Sequence, residues 1–195
     1  TKQAFISIED KDFYKHKGLN YKRIVKATFN NLKSKTLNEG ASTITQQLVK
    51  NRFLTNEKTF DRKVKEAYLS KKLESNEYKD KILETYLNTI YFGSGAYGIG
   101  NASMTYFNKK PSELTLSESC VLAGIIKSPS KYSPATNLEN ATKRKELVLS
   151  EMLKDNKITL SEYENAIEEK IEVNNINTTN ALHNLDLYTQ CALKE

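Results

Sequence analysis

Apolar positions recur along this chain mainly at helical spacing. In residues 19–33, Tyr21, Ile24, Val25, Thr28, Phe29 and Leu32 fall at i, i+3, i+4, i+7, i+8 and i+11, one face of a helix. Lys22, Arg23, Lys26 and Lys33 surround that face. Such a basic amphipathic helix suits either an anionic membrane surface or an ordinary core with its lysines in solvent. Residues 57–73 predict a further helix. Tyr78–Ile90 predicts another, with Ile82, Leu83, Tyr86, Leu87 and Ile90 as its buried stripe. Residues 101–107 restart a helix. Leu116–Lys127 is the most apolar stretch and reads as a buried helix that stops at Ser128-Pro129, since a residue before proline resists the helical region. Tyr132-Ser133-Pro134 then reads as an ordered extended loop. Asn137–Asn156 is amphipathic through Ala141, Leu147, Val148 and Met152. Ser161–Lys170 carries a capping box from Ser161 to Glu164. The expectation is a mainly α chain.

Glu9–Gly18, EDKDFYKHKG, breaks this regularity. The apolar run Ala4–Ile8 leads directly into it and would deliver Glu9 into a semi-desolvated place. Burial disfavours a charged carboxylate, which is what a general base working near neutral pH requires. The alternative is an acidic helix start, where the helix dipole welcomes negative charge. A second break follows the polar loop Lys35–Gly40. Thr43-Ile44-Thr45-Gln46 fits a capping box, so a helix should begin near Ser42. Its free N–H groups, with Gly40 before them, suit an anion. Capping does not account for Gln46, Gln47, Lys50 and Asn51 just beyond. In the next helix, Lys58, Arg62 and Glu66 share one face with Lys63 beside it. This is either an exposed ion-pair face or a cradle for pyrophosphate. Glu84 and Asn88, four apart, can hydrogen-bond within a helix read as scaffold.

Composition narrows the choices. The 195 residues suit one domain, and 7 glycines and 3 prolines leave room for long helices. The formal net charge of +6 favours an anionic partner. The two cysteines, Cys120 and Cys191, have no metal-ligand or disulfide spacing. No window approaches the roughly 18 apolar residues of a membrane span. The glycine-rich Tyr91–Gly100 matches neither GxGxxG nor a Walker loop and reads as a wide turn.

Five segments, in order, resemble the family 51 peptidoglycan glycosyltransferases, the polymerase domains of class A penicillin-binding proteins and of monofunctional transglycosylases. The first motif is carried by Glu9, Asp10, Phe13, His16 and Gly18. The second is Gly40, Ser42, Thr43, Ile44, Thr45, Gln46 and Gln47, with Lys50 and Asn51 after it. The third is Arg62, Lys63 and Glu66, and the fourth Ile82, Leu83, Glu84, Tyr86, Leu87 and Asn88. The fifth is looser: Leu122, Ala123, Pro129, Tyr132 and Pro134, then Arg144. Lys58 stands where relatives often carry arginine, which keeps the charge but not bidentate phosphate binding.

The resemblance implies a lysozyme-like fold with a large head and a small membrane-associated jaw at about residues 19–41. The glycosyltransferase domain would cover 1–170, and 171–195 would be a connector, towards a transpeptidase domain in a bifunctional parent. It implies polymerisation of lipid II on a lipid-linked glycan strand, with β-1,4 bonds formed by inversion and undecaprenyl pyrophosphate released. Glu9 would be the general base. Lys50, Lys58, Arg62 and Lys63 would hold the pyrophosphate, and Glu66 would orient them or help hold a divalent cation, magnesium or manganese; no cofactor is firmly implied. Ser42, Thr43, Gln46 and Gln47 would contact sugars and phosphate, and Arg144 the acceptor side. Moenomycin would occupy the donor site. The expected setting is the outer face of the bacterial cytoplasmic membrane, with an N-terminal anchor helix outside this sequence and other cell-wall synthesis proteins as candidate partners. Two other readings remain: a lysozyme-like lytic enzyme with water as nucleophile, and a basic nucleic-acid binder, which would need a recognition helix or stacking platform that this chain does not show.

Overall fold

The computed structural model describes residues 1–34, 40–55, 57 and 59–174. The described residues are mainly helical. Ten helices run α1 (Lys2–Glu9), α2 (Tyr21–Ser34), α3 (Ile44–Phe53), α4 (Phe60–Asn76), α5 (Lys79–Thr89), α6 (Ile99–Phe107), α7 (Leu116–Ile125), α8 (Pro129–Tyr132), α9 (Leu138–Lys154) and α10 (Leu160–Glu168). They form no sheet; one isolated antiparallel bridge joins Tyr91 to Tyr97.

The apolar run before Glu9 is a helix, α1, with Ala4, Phe5, Ile6 and Ser7 buried. It packs against α7 and α9, and those two pack on each other. Every residue of α7 from Ser117 to Ile125 is buried, so the most apolar stretch of the sequence is the centre of the fold. A second group, α3 against α4 and α5, carries the capped helix. The α5 stripe Ile82, Leu83, Tyr86 and Leu87 is buried as its period predicts.

Helix ends follow their caps. Thr43 accepts from the backbone N–H of Gln46, and the Gln46 side chain accepts from Thr43 N–H, so the box begins α3 as expected. Thr59 accepts from Arg62 N–H, and α4 therefore runs Phe60–Asn76 rather than 57–73. The α10 box is Thr159 with Glu162, not Ser161 with Glu164. Both spacings satisfy the pattern, but Thr159 has the extended backbone a cap requires and Ser161 already lies in the first turn. At its other end, Lys145 from α9 donates to the carbonyls of Ala166 (3.1 Å), Ile167 (3.2 Å) and Glu169 (2.9 Å). That supplies partners for carbonyls a helix end leaves free.

Two expectations beyond α7 need correction. Ser128 is extended, but Pro129 then starts the one-turn helix α8, where its fixed φ suits the first position. The segment expected as an extended loop thus begins with a helical turn and continues as turns through Thr136. In α9, Ala141, Val148 and Met152 are buried as expected, but Leu147 is exposed and Arg144 and Lys145 are buried.

In α2 the stripe faces outward. Tyr21, Val25 and Phe29 are 59%, 70% and 67% exposed, and Ala27 is the buried residue among those described. The side chains of Leu32 and Lys33 lie outside the described residues, as do Lys58, most of the predicted loop before Gly40, and 175–195 of the expected connector. No helix among the described residues is long and apolar enough to cross a membrane.

Candidate functional site

Glu9 is the last residue of α1 and Asp10 is its C-cap. The carboxylates therefore sit at the wrong end of a helix for its dipole, which overturns the helix-start alternative. Their placement is set by tertiary partners instead. Asp10, fully buried, accepts from the backbone N–H of Ile44 at 3.0 Å, the first residue of α3. Its Oδ2 also lies 2.9 Å from His16 Nε2. His16 Nδ1 in turn faces Glu74 at 4.0 Å and Lys79 at 3.5 Å. Lys79 pairs with Glu74 at 2.6 Å and lies over the Phe13 ring at 4.4 Å.

Gly18 closes this loop. Its φ is +86°, and a Cβ there would meet the Ser70 carbonyl at 2.7 Å, so only glycine lets the loop lie against α4. The Gly18 carbonyl accepts from the Thr43 hydroxyl at 2.7 Å. Asp10, Phe13, His16 and Gly18 thus fix the loop that follows Glu9 against α3, α4 and α5.

Glu9 itself opens into a cavity of about 340 Å³. Gln47 Nε2 donates to its Oε2 at 2.7 Å. Arg23 of α2 donates to the Glu9 carbonyl and, at 3.1 Å, to the Gly40 carbonyl. Ser42, Gln46, Lys50, Glu66, Lys127 and Arg144 also line the cavity. Its cations are Arg23, Lys50, Lys127 and Arg144, its carboxylates Glu9 and Glu66, so the wall carries a positive surplus suited to an anionic ligand. The Lys50 ammonium has no hydrogen-bond or ion-pair partner among the described residues. The Arg144 guanidinium lies 5.6 Å from the Tyr132 ring centre, and its buried Nε has no partner among the described residues.

Glu66 is 1% exposed. Gln46 donates to one of its oxygens at 3.0 Å and Arg62 to the other at 2.7 Å, with Lys63 on the first as well. Lys63 also reaches Ser42 Oγ at 3.1 Å. Arg62 and Lys63 therefore stand behind the cavity wall, joined to it through Glu66 and Ser42. Both oxygens of Glu66 are thus already engaged, and no group of three or more His, Cys, Asp or Glu that could hold a metal ion occurs among the described residues.

Some motif residues stand apart. Thr43 caps α3, and Thr45 bonds Glu74. Asn51 is exposed and does not line the cavity. Glu84 pairs with Lys81 at 3.2 Å rather than with Asn88, which is exposed. Arg23 and Lys127 were not legible as site residues: one reads as a rim charge of α2, the other as the polar end of a buried stretch. Only the approach of α2 and of the α7 end to Glu9 reveals them.

A family model described as transglycosylase matches residues 1–153. The chain belongs to this family, the family 51 glycosyltransferases that its motifs resemble. It is 45% identical over 170 residues to penicillin-binding protein 1A of Neisseria lactamica, covering 87% of this chain and 21% of that protein. It is 46% identical over 170 residues to penicillin-binding protein 1A of Aquifex aeolicus, covering 87% and 23%. The chain thus spans about a fifth of the length of these curated relatives. A crystal structure of penicillin-binding protein 1A from Haemophilus influenzae is similar at 32% identity and a TM-score of 0.48, over 67% of this chain and 16% of that one.

Proposed function

We propose that this chain is a peptidoglycan glycosyltransferase that extends a lipid-linked glycan strand with lipid II. The observation that carries this reading is the placing of one free-edged carboxylate, Glu9, in a single cavity with Lys50, Lys127 and Arg144. A sugar hydroxyl is a poor nucleophile and needs a base, and a pyrophosphate leaving group needs cations.

Glu9 takes the proton from the 4-hydroxyl of the acceptor GlcNAc. That oxygen bonds to the anomeric carbon of the donor MurNAc as the carbon–phosphate oxygen bond breaks. The electron pair leaves on the lipid pyrophosphate, and the centre inverts to a β-1,4 bond. Lys50 meets the growing charge directly. Arg62 and Lys63, held by Glu66, add a positive background behind it, and Lys58 belongs to the same proposed group. Ser42 and Gln46 are proposed substrate contacts, and Arg144 with Lys127 forms the acceptor side. The exposed stripe of α2, rimmed by Lys22 and Lys26, supports contact with the anionic membrane that carries both substrates, at the outer face of the cytoplasmic membrane.

A lytic enzyme would use water in place of the sugar hydroxyl. The cation surplus favours transfer, because glycan hydrolysis releases no pyrophosphate. Incubation of the purified chain with lipid II, followed by product sizing, tests the reading. Polymer with released undecaprenyl pyrophosphate is expected. Cleavage of preformed glycan without polymer from lipid II would refute it.

A further inference from the structure

We propose that Tyr86 is a positioning residue for Glu9, acting through the side-chain amide of Gln47. This rests on the assignment of Glu9 as the base. Tyr86 belongs to the α5 stripe that reads as scaffold, and packing alone would be served by phenylalanine. Its hydroxyl instead donates to Gln47 Oε1 at 3.0 Å, and Gln47 Nε2 donates to Glu9 Oε2 at 2.7 Å. The three side chains come from α5, α3 and the end of α1.

A glutamine amide has two ends of nearly equal size and opposite polarity. Turned over, Gln47 would set an oxygen against the Glu9 carboxylate. The carboxylate, an acceptor only, draws Nε2 to itself, and the buried phenol donates to Oε1, so the amide is held at both ends. Burial, and then the charges of Glu9 and Asp10, hold that phenol well above its ordinary pKa, so it remains a donor. Its ring is 0% exposed and fixed in the core, which gives the relay a rigid base. Glu9 Oε2 is thereby occupied, and Oε1, which takes no hydrogen bond from a described residue, is left as the proton-accepting edge.

A double-mutant cycle on lipid II polymerisation reads this coupling. Tyr86→Phe is expected to lower kcat about 10-fold with KM within about twofold, since misaiming the base costs rate more than binding. In a Gln47→Ala background the same substitution should change kcat by less than about twofold. Equal losses in both backgrounds, or an unchanged kcat in the first, would overturn the proposal while leaving the transferase reading intact. A measurement free of turnover stands beside it: the Gln47 side-chain amide resonances should move in Tyr86→Phe towards those of a solvated amide, and unmoved resonances would overturn it even if lipid II is not the substrate. Should Tyr86→Phe fail to fold, Gln47→Met interrupts the relay at its middle, and a normal kcat there would be equally decisive against it.

Discussion

His16 Nε2 lies 2.9 Å from Asp10 Oδ2, and the two side chains are 7% and 0% exposed. The pair stands one residue from Glu9 and ties the end of α1 to α3, because the same Asp10 oxygen also receives Ile44 N–H. Removing His16 leaves a buried acceptor short of a partner, which costs about 1–3 kcal/mol. His16→Ala should therefore lower stability by about that much in urea denaturation, with activity falling because Glu9 loses its foundation. A loss under about 0.5 kcal/mol would mean that Lys79 or water replaces the ring.

Glu9→Gln keeps the shape and cannot take a proton. Polymerisation of lipid II should fall about 100-fold or more, in line with general-base contributions, with an unchanged circular dichroism spectrum. A variant within about threefold of the parent would remove Glu9 from the role of base.

Lys50 and Arg62 should separate. The Lys50 ammonium lines the cavity without a partner among the described residues, so Lys50→Met should depress kcat by about 100-fold and leave stability alone. Arg62 is bonded to a buried carboxylate, so Arg62→Met should lose both rate and stability. Both variants should weaken moenomycin in a binding titration. Normal kcat and unaltered inhibitor affinity in both would place the leaving group elsewhere.

Val25→Ser with Phe29→Ser should shift stability by no more than about 0.5 kcal/mol, since both side chains are already exposed. Co-sedimentation with anionic vesicles should drop, and with it activity on membrane-embedded lipid II. Unchanged vesicle binding would show that α2 is not the membrane-facing element.

Cys120 lies inside α7, where burial pushes its thiol up to about 12. The thiolate is the reactive form, so alkylation of Cys120 at pH 8 should require unfolding. Mass spectrometry of native and urea-treated protein after iodoacetamide decides it: native labelling at Cys120 would mean that α7 opens.

Periodicity located α2, α5 and α9, because an apolar stripe at 3.6 residues marks one face of a helix. The α5 stripe is buried as its period predicts, continuous apolar content marked the buried α7, and the Thr43 box marked the start of α3, since capping depends on neighbours in sequence. The motifs named Glu9, Gln46, Gln47, Lys50, Glu66 and Arg144, which the fold brings to one cavity. Sequence did not decide which way α2 turns its apolar face, since the same stripe serves a core or a membrane; only the exposure of Tyr21, Val25 and Phe29 in the fold does. Nor did it separate two identical residue types with different work: Gln46 bonds Glu66 and Gln47 bonds Glu9. Neighbours on a helix diverge by about 100° around its axis, so their partners come from different elements. Those partners, together with Arg23, Lys127 and Tyr86 at Glu9, exist only where distant segments meet, and that meeting is set by packing.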